Sequence, residues 1–273
     1  MTVFNAIILG IVQGIGEFLP ISSSGHLLFI PWLFQWNIGE HLSFDIAVHV
    51  GTLIAVLAFF WKDWFVLLKD GLTKGIKTFE GKMFWFLVVA TIPGVLAGAL
   101  LDDFAESFFR GQYMPIILAC SLSIMGILLY FADKYGNQNT EYEQLGFKQT
   151  LLIGISQAFA VIPGTSRSGV TMTMARALGV KREAAAKFSF LLSTPIIAGA
   201  AVYQFVFKSS EIVLAEVLSL PFVVGVLTAM VVGFLSIKFL MKYLKTSNFN
   251  IFVIYRLVIA AILVVTYIVR GLF

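Results

Sequence analysis

Three residues near the amino terminus are of types that can carry out a reaction: Ser23, His26 and Glu17. His26 follows Ser23 by three residues, so a helix would place both side chains on one face. A hydroxyl beside an imidazole is a candidate nucleophile with its base, and the carboxylate of Glu17 could orient the imidazole. Alone, each residue also fits a structural role, as a helix cap, a partner of a backbone carbonyl or a neutraliser of a basic side chain. Taken together, the set favours catalysis.

The hydroxyls around Ser23 predict the start of a helix that can bind an anion. Ser22 and Ser24 flank it, and serine is a preferred residue at the position that caps a helix. The first backbone N–H groups of such a helix are free and attract negative charge. Gln13 precedes Glu17 by four residues, so the two side chains share a helical face.

A second polar segment places an arginine among hydroxyls. Arg167 lies between Ser166 and Ser168, directly after Pro163-Gly164. A guanidinium is a planar fork of donors that matches phosphate oxygens and keeps its charge when buried. An arginine held there needs an anionic partner. The two alternatives are an ion pair with Glu17 and a phosphate bound between the two polar segments, and both can hold at different stages.

Each polar segment interrupts apolar sequence that is too short to span a membrane. We name these interruptions the first tip, residues 20–26, and the second tip, residues 163–169. Interrupted backbone at membrane depth is tolerated only where protein or a water-filled cavity surrounds it. Each tip is therefore predicted to lie within a re-entrant helical hairpin. The apolar arms of the two hairpins are residues 3–19 with 27–36, and residues 149–162 with 170–180.

Six further stretches are long and apolar enough to span the hydrocarbon. The predicted fold class is an all-α polytopic membrane protein with six transmembrane helices, two re-entrant hairpins and an inverted-topology repeat. The spans lie near residues 44–61, 83–101, 114–132, 187–206, 218–240 and 250–269.

The composition agrees with that class. The chain is 59% hydrophobic and 12% charged, with a mean hydropathy of +0.93, whereas a soluble domain carries roughly 25% charge. The single cysteine, Cys120, excludes an intrachain disulfide and a cysteine-built metal site. No Walker loop, dinucleotide fingerprint or zinc-protease helix occurs. We interpret the net charge of +4 as a topology signal, and no nucleic-acid partner is predicted.

The distribution of basic residues predicts the orientation. On one side of the predicted membrane the loops hold only Arg110, Lys208 and Arg270. By the positive-inside rule this side, with both termini, faces outward. The loops on the other side hold Lys62, Lys69, Lys74, Lys77, Lys82, Lys134, Lys148, Lys181, Arg182, Lys187, Lys238, Lys242 and Lys245.

The chain also predicts an internal repeat. An offset of 144 residues aligns Gly10-Ile11 with Gly154-Ile155 and residues 22–25 with residues 166–169. Each half, about 1–135 and about 145–273, would hold one hairpin and three spans. Because three is odd, the second half enters the membrane upside down, and in such folds the broken helices build the site near the midplane.

At its two tips the sequence resembles the undecaprenyl pyrophosphate phosphatase family of bacterial membranes, also called bacitracin resistance proteins. The matching motifs are Gln13-x-x-x-Glu17 followed by FLPISSSGH, and PGTSRSGVT from Pro163 to Thr171. The resemblance covers the whole chain in length and span pattern. It implies a multi-pass protein of the bacterial plasma membrane whose active site opens to the outer face. It also implies hydrolysis of a C55 isoprenyl pyrophosphate, which recycles the lipid carrier for peptidoglycan and other cell-wall polymers.

Residue by residue, the resemblance implies Ser23 as nucleophile, with His26 and Glu17 acting on it or on water, and Arg167 gripping the pyrophosphate. It implies a divalent cation, Mg²⁺ or Ca²⁺, for which Glu17 is a candidate ligand. The family has Glu or Gln at the position of Gln13. The remaining phosphate-binding candidates are Ser22, Ser24, Ser166, Ser168, Thr171 and Gln13.

Two other classes of function remain open at this stage. A transporter or flippase of the undecaprenyl phosphate carrier fits the inverted repeat with paired broken helices. An anion channel could use the two helix starts and Arg167 as a filter, but it leaves Glu17 and His26 unexplained. A flippase needs no serine–histidine pair, so the residues of the first tip favour the phosphatase. They do not decide between a covalent phosphoserine and an activated water.

Overall fold

The computed structural model describes residues 1–36, 42–109, 111–207 and 219–271, and the side chains of these residues except 42, 102–109 and 204–207. Arg110 and Lys208, which entered the prediction of orientation, lie outside the described residues. Within them the chain is helical, and the single β contact is an isolated bridge between Thr140 and Val180. The predicted all-α polytopic class is confirmed.

Eleven α-helices make up the described chain, with short 3₁₀ turns at Tyr142–Gln144 and Gln157–Val161. The helices are α1 Val3–Phe18, α2 Ser23–Phe34, α3 Leu42–Phe59, α4 Trp61–Thr73, α5 Phe79–Phe109, α6 Met114–Tyr135, α7 Phe147–Ser156, α8 Arg167–Ala177, α9 Arg182–Phe207, α10 Leu220–Tyr243 and α11 Asn250–Gly271.

Five of the described helices are long and apolar enough to cross a membrane, and they lie in α5, α6, α9, α10 and α11. A sixth crossing is possible only if α3 and α4 are counted as one, and these two helices are bent by 79° at Phe60. The sequence predicted one span over 44–61 here. The bend lies where the apolar α3 meets α4. The α4 helix combines exposed aromatic side chains with charged ones, namely Trp61 and Phe65 with Lys62, Asp63, Lys69 and Asp70.

The two broken helices end where their sequences require it. The α1 helix stops at Phe18, because Leu19 precedes a proline and takes the extended backbone (φ −72°, ψ 144°) that proline imposes. The α7 helix tightens into the 3₁₀ turn Gln157–Val161 before Pro163. In both hairpins a helix therefore approaches the tip, ends, and is followed by a new helix that begins at the tip.

Glycines let the first helix of each hairpin approach a spanning helix closely, as small residues do in membrane proteins. A Cβ added at Gly10 would lie 2.7 Å from the carbonyl oxygen of Gly225 in α10, and one at Gly14 2.8 Å from the nitrogen of Gly233. In the second hairpin a Cβ at Gly154 would lie 2.4 Å from the carbonyl oxygen of Ala90 in α5. The hairpins are thus packed against α10 and α5 with backbone nearly in contact.

A buried ionic network joins the helices at the end of α8 opposite the second tip. Asp133 accepts hydrogen bonds from Arg176 Nε and Arg182 Nε, both at 2.8 Å. It also accepts a hydrogen bond from the backbone nitrogen of Phe249 at 3.3 Å, next to the start of α11. One carboxylate therefore ties α6, α8 and α9 to the segment before α11.

Asp133→Asn is expected to destabilise the protein by about 3–5 kcal/mol, because it leaves the fully buried guanidinium of Arg176 without its counter-charge. The measurement is thermal unfolding of the detergent-purified chain. Asp63→Asn is the matched control, since Asp63 pairs with Lys187 at a partly exposed site and such a pair contributes about 0–1 kcal/mol. Equal losses in both variants would show that the network does not hold these helices together.

Candidate functional site

The two tips have the same local backbone. Ser22 (φ 77°) and Ser166 (φ 69°) are both non-glycine residues with positive φ, a conformation that carries strain. Each is the N-cap of the following helix. The Oγ of Ser22 accepts a hydrogen bond from the nitrogen of Gly25 at 3.3 Å, and that of Ser166 from the nitrogen of Gly169 at 3.1 Å. The cap predicted at the first tip is confirmed, and Ser166 caps the helix of the second tip in the same way.

The tips lie against each other. Ser168 Oγ donates a hydrogen bond to the carbonyl oxygen of Leu19 at 3.1 Å, and a Cβ at Gly25 would lie 3.4 Å from the Cα of Gly164. Ser121 of α6 donates to the carbonyl oxygen of Pro163 at 2.7 Å and so fixes the second tip from outside. Two helix starts, each with free backbone N–H groups, are thereby brought to one place.

Gly164→Ala is expected to abolish most activity, because Gly164 has φ +92° and an added Cβ would lie 2.0 Å from the Oγ of Ser121. The new methyl group would force the Ser121 hydroxyl out of its place, with loss of its hydrogen bond to Pro163, and alanine at this positive φ would strain the tip. The measurement is the turnover of the purified variant beside Gly98→Ala, since Gly98 has no atom within 4 Å of an added Cβ. Wild-type turnover in the Gly164 variant would contradict the geometry of the tip.

Glu17 is the centre of the site, and both of its carboxylate oxygens are occupied. Oε1 lies 2.7 Å from Arg167 Nη2 of the second tip. Oε2 accepts hydrogen bonds from Ser23 Oγ at 2.8 Å and from Gln13 Nε2 at 3.0 Å. His49 Nε2 lies 3.5 Å from the same oxygen. One buried carboxylate thus connects the candidate nucleophile to the candidate phosphate-binding arginine, and the ion-pair partner considered for Arg167 is observed.

His26 lies at the start of α2 but does not contact Ser23 through a hydrogen bond. Its Nδ1 lies 2.7 Å from the carbonyl oxygen of Ser22, which can only accept, so Nδ1 carries a proton. Its Nε2 lies 2.8 Å from Tyr255 Oη, and the two rings are stacked with centroids 5.6 Å apart. The expected Ser23–His26 pair oriented by Glu17 is therefore not formed. The two ring nitrogens of His26 instead bond the carbonyl oxygen of Ser22 and the hydroxyl of Tyr255. The hydrogen-bond partner of Ser23 is Glu17.

The other predicted phosphate-binding residues divide into two groups. At the tips, the Oγ atoms of Ser22 and Ser24 are 3.4 Å apart, and those of Ser166 and Ser168 are 3.1 Å apart. Thr171 lies one turn further along α8, where it donates to the carbonyl oxygen of Arg167 and contacts Ser189 Oγ at 2.7 Å. In this structure the Thr171 hydroxyl bonds the backbone of the second tip and supports α8 against α9.

Three residues at the site were not among the sequence-predicted site residues. His49 of α3 contacts Glu17. Tyr255 holds His26, and the adjacent Arg256 is fully buried and donates to the carbonyl oxygen of Thr165 at 2.7 Å. The signal available in the sequence was the adjacent polar pair Tyr255-Arg256 within the apolar span predicted over residues 250–269.

A divalent cation would find only part of a site in the protein itself. Among the residues that the structure describes, no group of three or more His, Cys, Asp or Glu side chains could hold a metal ion. The oxygens at the site are those of Glu17, which already contact Arg167, Ser23 and Gln13, and the buried Oε1 of Gln13, which has no hydrogen-bond partner. Mg²⁺ often takes one or two protein oxygens and completes its shell with water and substrate phosphate. These donors fit a cation of that kind.

Comparison with known proteins gives one consistent result. The family model of the bacitracin resistance protein BacA matches residues 6–262. The undecaprenyl-diphosphatase of Pelotomaculum thermopropionicum is 52% identical over 258 residues, which is 94% of each chain. The undecaprenyl-diphosphatases of Moorella thermoacetica and Desulforudis audaxviator are 48% and 49% identical over 99% of this chain and 100% of theirs. The chain belongs to the bacitracin resistance protein BacA family.

Proposed function

We propose that this protein is an integral membrane undecaprenyl-diphosphatase, which hydrolyses undecaprenyl diphosphate to undecaprenyl phosphate and inorganic phosphate. The relatives that bear this name match nearly the whole chain at about half identity. The observation that carries the chemistry is the buried carboxylate of Glu17 between the hydroxyl of Ser23 and the guanidinium of Arg167. A polytopic, all-helical chain suits a substrate whose tail lies in lipid.

We propose that Arg167 changes its partner during the reaction. It pairs with Glu17 in the free protein and with the phosphate when substrate binds. The arriving phosphate competes with Glu17, which holds Arg167 through a single oxygen, and it can accept two hydrogen bonds from the planar guanidinium. When Arg167 turns to the phosphate, Glu17 loses its counter-charge and becomes the stronger base. Ser23 Oγ is already hydrogen-bonded to Glu17 Oε2. Substrate binding and activation of the nucleophile are thus coupled through one carboxylate.

In the proposed reaction, Ser23 Oγ attacks the terminal phosphorus and its proton passes to Glu17. The bond from that phosphorus to the bridging oxygen breaks, and undecaprenyl phosphate leaves with the electron pair. Water then attacks the phosphoserine, the bond from phosphorus to Ser23 Oγ breaks, and Glu17 returns its proton to that oxygen. Inorganic phosphate leaves with the atoms of the water, so both Ser23 and Glu17 are regenerated. The serine hydroxyls of the tips, Gln13 and the N–H groups of α2 and α8 stabilise the charge that develops on the phosphoryl oxygens.

His26 stays a proposed catalytic residue, supported by its burial at the first turn of α2 and by its hydrogen bond to Tyr255. A divalent cation, Mg²⁺ or Ca²⁺, bound by Glu17 and Gln13 would neutralise charge on the diphosphate. We also propose a bacterial plasma-membrane location with both termini outside and the site open to the outer face. The inverted repeat belongs to the same proposal, and the matching backbone of Ser22 and Ser166 supports it.

The alternative of a flippase for undecaprenyl phosphate has less support. The relatives carry the name of a hydrolase, and a flippase has no need for a serine hydrogen-bonded to a buried carboxylate.

The experiment is phosphate release from undecaprenyl diphosphate by the detergent-purified chain, with and without a chelator. Release that stops with chelator and returns with Mg²⁺ or Ca²⁺ supports both the phosphatase and its cation. Equal phosphate release with and without the chelator would exclude the divalent cation from the proposal. No release from folded protein would contradict the phosphatase.

A further inference from the structure

Arg256 of α11 is a buried cation with unused donors. Its side chain is fully buried, and its recorded hydrogen bonds run from Nη2 to the carbonyl oxygens of Thr165 at 2.7 Å and Gly164 at 3.4 Å. Nε and Nη1 are buried without a hydrogen-bond partner. Among the described residues no carboxylate pairs with it. A guanidinium without counter-charge at membrane depth is costly, and its presence indicates an anion that the protein binds.

Arg176 shows how the same fold treats an arginine with a purely structural role. It too is fully buried, but all three of its nitrogens are engaged. Nε donates to the carboxylate of Asp133, and Nη1 and Nη2 donate to backbone carbonyls that include that of Asn137. Arg256 has neither the carboxylate nor this full set of acceptors. Arg176 therefore has a structural role, whereas Arg256 keeps two donors that a ligand can use.

Arg256 lies where the two tips meet. Its Nη2 is 3.1 Å from the position of a Cβ on Gly169, in the first turn of α8. The preceding residue, Tyr255, is hydrogen-bonded to His26 in the first turn of α2. The Tyr255-Arg256 pair therefore touches both helix starts at which an anion is expected.

The charge balance of the site favours a second basic side chain beside Arg167 and the proposed divalent cation. Arg167 is neutralised by Glu17 at 2.7 Å, so this pair contributes no net positive charge. A diphosphate ester carries at least two negative charges near neutral pH. If Glu17 takes the proton of Ser23, Arg167 alone offsets one of these charges, and the rest falls to the proposed divalent cation and to any further basic side chain at the tips. Arg256 is the charged group at the tips that has no anionic partner in the described chain.

We propose that Arg256 is a second anion-binding arginine, which holds through Nε and Nη1 the phosphoryl group that Arg167 does not hold. The proposal rests on the proposed function for the identity of the substrate, while the anion site itself can be tested alone. It assigns Arg167 to the reacting end of the site and the last helix to recognition of the diphosphate.

The test uses thermal unfolding of the full detergent-purified chain with inorganic pyrophosphate as the probe, and inorganic phosphate at equal ionic strength as the reference. The parent is expected to gain stability with pyrophosphate. Arg256→Met is expected to lose that gain and to raise the KM for undecaprenyl diphosphate at least tenfold. Arg256→Lys keeps the charge and is expected to keep part of both effects. Should the Met variant fail to fold, the Lys variant supplies the comparison.

Arg270→Met is the matched control, because Arg270 lies on the same helix and also donates to backbone carbonyls, those of Trp32 and Leu33. Its pyrophosphate response should equal that of the parent. An unchanged pyrophosphate response and KM in the Arg256 variants would overturn the proposal and leave Arg256 as a support of the second tip. A parent that binds pyrophosphate through Arg256 but hydrolyses no undecaprenyl diphosphate would contradict the proposed function and not the anion site.

Discussion

Glu17→Gln is expected to lower kcat by about 10²–10⁴-fold, the range that a positioned general base contributes. The amide cannot take the proton of Ser23, although it can keep a hydrogen bond to that hydroxyl, which lies 2.8 Å away in the parent. It also leaves Arg167 without its ion pair, so substrate affinity should fall less than kcat. The measurement is steady-state phosphate release over a range of substrate concentrations.

Asp70→Asn is the control for this prediction. Asp70 is also a buried acid, but it bonds Lys74 and Thr78 beside α4, away from the tips. Its kcat should match that of the parent. A Glu17→Gln variant that retains parental kcat would show that Ser23 gives its proton elsewhere, and it would exclude Glu17 as the base.

Arg167→Ala is expected to reduce kcat/KM by about 10³–10⁵-fold, as removal of a charge-stabilising arginine does in other phosphoryl-transfer enzymes. The substitution removes the phosphate ligand and leaves the carboxylate of Glu17 buried without its partner at 2.7 Å. Arg167→Lys keeps the charge but not the planar fork. Compared with Arg167→Ala, we expect Arg167→Lys to restore KM more than kcat. Separate measurement of kcat and KM tests this.

Arg182→Lys is the control for Arg167, since Arg182 pairs with Asp133 far from the tips and lysine can maintain that pair. It should retain the parental kcat/KM. If Arg167→Ala were as active as this control, the ion pair with Glu17 would be structural only, and the exchange of partners would have no basis.

Local spacing predicted the parts of the molecule that depend on neighbouring residues. Serine before a helix, proline after one and apolar stretches are local signals, and they predicted the cap at the first tip, the helix ends before Pro20 and Pro163 and the helical membrane class. The contact of Glu17 with Arg167 was predicted as one of two alternatives, because few charges lie at that depth and an arginine needs an anion.

The parts that spacing could not predict depend on contacts between distant segments. His26 and Tyr255 are 229 residues apart in sequence, and nothing near His26 indicates that a tyrosine will take its Nε2. The same holds for His49, which reaches Glu17 from α3. The expected Ser23–His26 pair failed for this reason, since residues on one face of a helix can still bond different partners.

The bend between α3 and α4 is a further feature that an apolar run alone does not reveal. The hydropathy of residues 44–61 predicts one span, but the chain turns by 79° after Phe59. The α4 helix then packs against α5, where Trp85 Nε1 donates to the carbonyl oxygen of Gly71 at 3.2 Å. Packing between helices, which the linear sequence does not specify, sets this direction.

The central claim is that Ser23, activated by Glu17, attacks the terminal phosphorus. The most direct measurement is capture of radiolabelled phosphate on the protein by rapid acid quench, after mixing with undecaprenyl diphosphate labelled at that phosphorus. The account predicts label on residue 23 in the parent and in Ser24→Ala, and none in Ser23→Ala, whose turnover is also lost. Full turnover by Ser23→Ala, or a parent that turns over without ever carrying label at Ser23, would contradict it.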